Sequence, residues 1–184
     1  AVSLTAPTSR LSSAPNPATV ESSEAVTGAD SAEDLSVTNA SVTAPSEIAP
    51  MDGTTYQVDL TPEAQFEGDI ELFVKEGVAL DGSGNANEVS TVLTLEADTI
   101  APTVQISANV TTLGLQDTAT VSFSLSEPTG DFTLADVVVT GGTLSEFAGS
   151  GTSYTAIFTP MIGAASNQGI GTVYVIEGAF LDPF

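Results

Sequence analysis

The segment TSYTAIFTP, residues 152–160, is the clearest guide to the fold of this chain, because it has the two-residue period of a β-strand. Tyr154, Ala156 and Phe158 occupy alternate positions, and side chains at alternate positions of an extended chain point to the same face. Thr, Tyr and Phe also favour strands. The segment is therefore predicted to be a strand with one buried face.

An internal repeat surrounds this segment, at an offset near one hundred residues. The matched pairs, in chain order, are AVSLTAP (1–7) with TVQISAN (103–109), residues 18–38 with 119–140, TTYQVDLTP (54–62) with TSYTAIFTP (152–160), and ELFVKEGVALD (71–81) with TVYVIEGAFLD (172–182). The second pair aligns on its Ala-Thr-Val triplets if two residues are deleted from the first copy's strand and one is inserted in the following loop. Four matches in one order indicate an internal duplication.

The junction between the copies is LEADTIAPT (95–103), in which Pro102 and small polar residues suit a short, fairly stiff linker. We place module 1 at residues 1–98 and module 2 at residues 99–184.

Other segments have the same two-residue period, and no segment has the period of an amphipathic helix. The alternating apolar sets are Ile70, Leu72 and Val74; Val121, Phe123 and Leu125; and Val89, Thr91, Leu93 and Leu95 within EVSTVLTLE (88–96). Gly, Pro, Asn and Asp separate these runs, as expected for turns. Short strands at this spacing predict a Greek-key β-sandwich for each copy.

Composition excludes several classes of function. The formal net charge is -22, from 2 Lys and Arg against 24 Asp and Glu, so the surface repels nucleic-acid phosphates and anionic lipids. The chain has no Cys and no His, which excludes disulfides, thiolate zinc sites and His-dependent triads. No apolar run is long enough to span a membrane. The acidic residues of the chain fall on exposed loops, and the chain has no Trp that could form a sugar-binding platform. We therefore expect no enzyme activity.

The segment APTVQISANVTTLGLQDTATVSFSLSEPTGDFTLADVVVTGGTLSEF (101–147) resembles the bacterial Ig-like domains repeated in large surface adhesins, including those of the RTX type. TSYTAIFTP, EGAFLD (177–182) and DGSGNAN (81–87) share this resemblance. It implies two tandem immunoglobulin-like Greek-key β-sandwiches in a stalk that is displayed outside the cell and is often stiffened by calcium. Module 1 departs from the pattern, because its second strand is shortened and Ala29-Asp30 stand where a Gly-Phe pair is usual.

Matched acidic residues predict a calcium site at the entrance of each module. In the second module, Glu127, Asp131, Asp136 and Asp182 are expected to converge near linker residue Asp98; in the first, the expected ligands are Glu24, Asp34 and Asp81. Ca²⁺ takes six to eight oxygen ligands, and carboxylates at a junction supply them. The loop 81–88 adds Asn85 and Asn87. The alternatives are a solvated acidic surface and, for this loop, a plain turn.

Three functions fit these observations. The first is an extender in an extracellular rod on the cell surface, contacting neighbouring repeats of the same protein, with calcium fixing the angle between modules. The second is a binding module that recognises a glycan or a protein on another surface. The third is a subunit of an extracellular filament or surface layer built from identical subunits. The one longer loop, MIGAASNQG (161–169), is small rather than aromatic, which favours the extender.

The end of the second copy predicts a missing last strand. After Asp81 the first copy continues through EVSTVLTLE (88–96), whereas two residues follow the equivalent Asp182. A sandwich without that strand exposes a sheet edge that invites strand addition. Either the chain is cut from a longer array, or a neighbouring subunit donates the strand.

Overall fold

The structure is a computed structural model that describes residues 1–114, 116–161 and 169–181. Asp182 and most of the loop 161–169 lie outside the described residues. The described chain is built of β-strands and two single-turn 3-10 helices, Ala32–Asp34 and Leu134–Asp136. None of its helices is long and apolar enough to cross a membrane.

The chain divides into two compact units between Ile100 and Ala101. This division lies two residues beyond the sequence-based boundary at 98/99. Thr99 explains the difference, because it is bonded to the first unit: its N–H donates to Phe66 O at 2.8 Å and its hydroxyl donates to Glu63 O at 2.8 Å.

The first unit contains eleven strands. They are β1 Val2–Thr5, β2 Arg10–Leu11, β3 Asn16–Ser22, β4 Val26–Thr27, β5 Leu35–Val37, β6 Ala40–Val42, β7 Ser46–Glu47, β8 Thr55–Pro62, β9 Glu67–Val74, β10 Leu80–Asp81 and β11 Leu93–Asp98. One sheet has the order β1-β3-β8-β6, with β7 also pairing with β8. The facing sheet has the order β2-β11-β9-β5, in which β2 runs parallel to β11, and β4 pairs with β10. Leu60, Ile70 and Leu72 have no exposed surface and form the centre of the core.

The second unit repeats this plan with fewer described strands. They are β12 Val104–Ala108, β13 Ala119–Thr129, β14 Val137–Thr140, β15 Gly142–Pro160 and β16 Thr172–Val175. One sheet has the order β12-β13-β15, and β14 pairs with β16 in the other. Phe123, Phe158 and Phe180 are buried in its core.

The predicted fold class is confirmed: both units are immunoglobulin-like β-sandwiches. The alternating residues lie where the two-residue period places them, since Tyr154, Ala156 and Phe158 are all buried. Val58 and Leu60 of the first unit are buried on the equivalent strand, β8. Because one face of each strand is covered by the opposite sheet, burial follows the period along the strand.

The predicted alignment of the second strands is wrong by two residues. In the ladders, Ala18 pairs with Val58, and Val121 pairs with Ala156. Val58 and Ala156 are equivalent, so Ala18 is equivalent to Val121, and no deletion interrupts the strand. The strand is nevertheless shorter as expected, with 7 residues in β3 against 11 in β13.

The predicted strand 88–96 begins too early. β11 starts at Leu93, and Val89 is 55% exposed. Ser90 is the cause, because it is buried and bonds to the end of β9: its N–H donates to Val74 O at 3.1 Å, and its Oγ accepts from Val74 N at 2.9 Å. These two bonds hold the side chain of Ser90 toward the core, so the side chains of its neighbours Val89 and Thr91 face solvent.

Candidate functional site

Two of the expected calcium ligands, Asp34 and Asp136, cap the N-terminal ends of the two 3-10 helices. Asp34 Oδ2 accepts from Ser31 N at 2.9 Å, and Asp136 Oδ2 accepts from Thr133 N at 2.7 Å. Each carboxylate satisfies a main-chain donor at a helix start, as the acidic residue of a capping box does. This shared role explains why the two copies match at these positions.

Asp81 organises the turn that follows β10. Its Oδ1 accepts from Ser83 N and Asn85 N, each at 2.8 Å, and its Oδ2 accepts from Asn85 Nδ2 at 2.8 Å. The Asn85 side-chain amide, followed by the Asn85 main-chain N–H, holds the pKa of Asp81 below its ordinary value. Asn87 Oδ1 accepts from Ala79 N at 2.9 Å, so this amide oxygen is also engaged within the loop. These contacts are those of a self-contained turn.

Asp131 ties the end of β13 to the segment after β16. Its carboxylate accepts from the Thr129 hydroxyl and from Leu181 N, at 3.2 Å from Oδ2. The Thr129 hydroxyl, followed by the Leu181 N–H, holds the pKa of Asp131 below its ordinary value. Thr129 is only 6% exposed. The sequence analysis named Asp131 but not Thr129. A Thr two residues before an Asp is common in loops, so the sequence has no signal that marks Thr129.

The remaining expected ligands lie apart from one another in the chain. Asp98 ends β11 in the first unit, and its Oδ1 accepts from Ile100 N at 3.0 Å. Glu24 follows β3, Glu127 lies in β13, and Asp182 is outside the described residues. Over residues 1–114, 116–161 and 169–181, no three acidic side chains form a group that could hold a metal ion.

A small pocket in the first unit is apolar. Its lining includes Val20, Val26, Tyr56 and Ala79. Tyr56 donates its hydroxyl to Val26 O at 3.1 Å, while burial, Glu47 and Asp52 raise its pKa. The titratable side chains of the lining are Asp34, which accepts from Ser31 N, and Tyr56, which donates to Val26 O, so both are engaged in structural hydrogen bonds.

β16 differs from its equivalent β9 in exposure. In the first unit, β9 lies between β11 and β5, whereas β16 pairs with β14 alone among the described residues. Tyr174 and Ile176 are 51% and 55% exposed. Sequence reasoning missed these two residues, although residues 173–176 are apolar without alternation, which is typical of a strand covered on both faces.

Comparison with known proteins identifies both units. Residues 3–96 and residues 98–182 each match the family described as bacterial Ig-like domain. No curated protein matches the chain. Domains of this family are common in extracellular proteins. Because the two matches cover nearly the whole chain and coincide with the two sandwiches, the chain belongs to the bacterial Ig-like domain family and carries two tandem copies of the domain.

Proposed function

We propose that this chain is a structural extender module of an extracellular bacterial adhesin of the type it resembles, the RTX adhesins. The observation that carries the proposal is the tandem arrangement of two family domains, each with a core of its own. A unit that encloses its own core folds independently and contributes length to a rod. The role is mechanical rather than enzymatic.

The distribution of polar groups supports a mechanical role. Asp34, Asp81 and Asp136 accept hydrogen bonds from their own loops, and Asp131 accepts one from Leu181 N. Their carboxylates shape the ends of the sandwiches, where consecutive repeats of a rod would meet. The net charge of -22 keeps such a rod soluble and extended outside the cell.

Stretching a single molecule tests the extender role. Each unit of roughly 90 residues should unfold in its own event and release about 30 nm of chain, since an extended residue spans about 3.5 Å. Two such events per molecule, in either order, are expected from atomic force measurements on the chain held at its ends. A single event of about 60 nm would show one cooperative body and contradict the proposal.

Location needs a separate test. Antibodies against the folded chain should label intact cells of the source bacterium as strongly as permeabilised cells. An antibody against a cytoplasmic protein of the same cells is the control. Labelling that appears only after permeabilisation would contradict an extracellular role.

Calcium at the module junction is the finer part of this proposal. Its support is the sequence: 17 of the 24 acidic residues lie in residues 1–98, and Asp98 lies within the linker 95–103. A carboxylate offers about four lone-pair sites, so the loop hydrogen bonds leave capacity for a cation. A ligand at a hundred times its Kd stabilises the folded state by about 2.7 kcal/mol. Millimolar Ca²⁺ should therefore raise the melting temperature by several degrees, and chelation should reverse the rise.

Two variants sharpen the calcium test. Asp98→Asn and Glu127→Gln should each reduce the calcium-dependent rise, whereas Asp117→Asn, in a loop away from the expected ligands, should not. Equal melting temperatures with calcium and with chelator, at constant ionic strength, would remove calcium from the proposal and leave the extender role standing.

The filament subunit is a second candidate, favoured by the exposure of β16. A filament of this kind requires that the edge of β16 accept a strand from another subunit.

The glycan-binding or protein-binding module is the remaining rival, and its test is retention of the chain on glycan arrays or on host-cell surfaces.

A further inference from the structure

A loop residue of the second unit, Phe132, inserts its ring among four others. The ring centroid of Phe132 lies 5.1 to 5.7 Å from those of Phe123, Phe147, Tyr154 and Phe180. Phe132 directly precedes Thr133, the N-cap of the second 3-10 helix, and is only 4% exposed. The second unit therefore fills the space between these four rings with a side chain from its own loop.

In the first unit, the equivalents of the four surrounding rings all line the apolar pocket. They are Val20, Pro45, Tyr56 and Ala79. The register of β3 relates Val20 to Phe123. The repeated segments 54–62 and 71–81 relate Tyr56 and Ala79 to the matching residues of 152–160 and 172–182.

Two matching hydrogen bonds establish the equivalence of Pro45 with Phe147. The residue that follows β8 donates its N–H to Asn39 O at 2.9 Å, and the residue that follows β15 donates its N–H to Gly141 O at 2.8 Å. Asn39 is therefore equivalent to Gly141, and Pro45 and Phe147 each stand six positions later. The pocket thus lies at the place in the fold that the Phe132 ring fills in the second unit.

The first unit has Asp30 where the second has Phe132, since each directly precedes the N-cap of its 3-10 helix. Asp30 is exposed, so its side chain does not enter the core. Among the lining residues, Val20 and Ala79 are 6% and 1% exposed, whereas Tyr56 is half-buried. The pocket therefore has a buried apolar floor and opens at the surface.

We propose that this pocket binds a small molecule that carries one phenyl-type ring and a positively charged amine. The ring takes the place that the Phe132 ring takes in the second unit, and the amine stays at the surface near the surrounding carboxylates. This inference goes beyond the extender role and does not depend on it.

Tyr56 makes the pocket selective for an aromatic ring. Its equivalent, Tyr154, packs edge to face with Phe132, with centroids 5.1 Å apart and an interplanar angle of 85°. The hydroxyl of Tyr56 donates to Val26 O at 3.1 Å, which fixes the position of the ring. Because edge-to-face ring pairs are more favourable than the burial of their area alone, an aromatic ring is preferred to an aliphatic group of the same size.

Acidic side chains around the pocket favour a cation over an anion. Asp34 is part of the lining, and neither of the two basic residues of the chain is. Besides burial, the charges of Glu47 and Asp52 raise the pKa of Tyr56, so two further carboxylates act on the hydroxyl of this residue. An amine attached to a ring in the pocket would be attracted by these charges, whereas a carboxylate would be repelled.

NMR titration of the whole chain with phenethylamine tests the proposal. The amide signals of Val20, Tyr56 and Ala79 should shift and saturate with a Kd on the order of 1 mM, as expected for a small ligand that buries one ring. The signals of Phe123 and Tyr154 should not shift, because Phe132 fills the equivalent space. Ethylamine, at the same ionic strength, has the charge without the ring and should leave the signals of Val20 and Ala79 unchanged. The anion 3-phenylpropionate has the ring with the opposite charge and should bind at least about tenfold more weakly.

Asp30→Phe supplies the loop ring of the second unit and should weaken phenethylamine binding at least about tenfold. Asp30 is exposed, so the change removes no core contact. Asp69→Phe, at an exposed position of β9 outside the lining, makes the same change of charge and size and should leave the Kd unaltered. Ala79→Phe restores the ring of Phe180 and blocks the pocket independently, with the dispersion of the amide signals as the check on folding.

Four outcomes would overturn the proposal. Lining signals that do not move at millimolar phenethylamine would mean that the pocket closes in solution. Equal shifts with ethylamine would mean that the acidic surface binds the amine without the ring. Equal affinity for 3-phenylpropionate would remove the charge from the recognition. Binding that survives both Asp30→Phe and Ala79→Phe would place the site elsewhere. None of these outcomes affects the two unfolding events expected for an extender, so the two proposals fail independently.

Discussion

The two units have the same strand pairing but fill their cores differently. The second unit builds its core on five aromatic rings, those of Phe123, Phe132, Phe147, Tyr154 and Phe180, whose neighbouring centroids lie 5.1 to 5.9 Å apart. The first unit has an aliphatic core closed by β11. This fold therefore depends on burial at fixed positions, which either aromatic rings or aliphatic side chains can supply.

The pocket of the first unit lies among residues whose equivalents in the second unit are aromatic. Val20 and Ala79 both line the pocket, and they are equivalent to Phe123 and Phe180. Asp30 stands where Phe132 lies in the ring cluster. This is the Gly-Phe departure noted in the sequence, and it leaves the first unit without a ring at the position that Phe132 occupies in the second.

Removing the most deeply buried ring of the second unit should produce the largest effect. Phe123 is 1% exposed and contacts two other rings, so Phe123→Ala should lower the free energy of unfolding of the second unit by about 3–5 kcal/mol. The equivalent Val20→Ala should cost the first unit only about 2 kcal/mol, because fewer methyl groups are lost. Urea titrations followed by NMR signals of each unit separate the two costs. Equal costs would refute the difference in core construction.

A second prediction concerns two neighbouring core positions, at which one side chain is larger and the other smaller in the second unit than in the first. Leu60 and Ile70 of the first unit become Phe158 and Gly171 in the second, and a Cβ on Gly171 would collide with the Phe158 ring. Gly171→Ala should therefore destabilise the second unit by about 1–3 kcal/mol.

Phe158→Leu should relieve that collision, so the double variant should be more stable than the sum of the single effects predicts. A double-mutant cycle in urea measures the coupling. If the changes in unfolding free energy of Gly171→Ala and Phe158→Leu simply add, the two side chains do not compete for the same space in the core.

The matched capping residues should have equal and smaller effects. Asp34→Ala and Asp136→Ala each leave a main-chain N–H of a 3-10 helix without its acceptor, so each should cost its own unit about 1 kcal/mol. The Asp→Asn variants keep an acceptor oxygen and serve as controls that should cost less. A cost confined to one unit would mean that the capping is not equivalent.

The smallest effect concerns pH. Asp81 and Asp131 have pKa values lowered in the folded state, so the stability they contribute is present above the unfolded value of about 3.9 and is lost as the pH falls through their folded values. Asp131→Asn should flatten the decline in melting temperature of the second unit between about pH 4 and pH 2 and leave the first unit unchanged. If the melting temperatures of the wild type and of Asp131→Asn fall in parallel with pH, Asp131 does not contribute to the acid sensitivity of the second unit.

Much of the fold could be predicted from local pattern. The two-residue period places Tyr154, Ala156 and Phe158 inward because a strand turns alternate side chains to one face. The duplication follows from matched segments alone. The site was less predictable, because the capping role of Asp34 and the turn role of Asp81 depend on which donors the loop brings near each carboxylate.

Period, repeat and composition are properties of the chain alone, and they suffice to predict the two-domain β-sandwich plan, the acidic charge and the family. The register of β3, the start of β11 and the exposure of β16 depend instead on which strands lie beside one another in the folded sheets. A slip of two residues leaves every side chain on the same face, so periodicity could not detect the misaligned Ala-Thr-Val triplets. Burial of Ser90 and exposure of Tyr174 depend on neighbouring strands distant in sequence, and only the assembled sheets determine those neighbours.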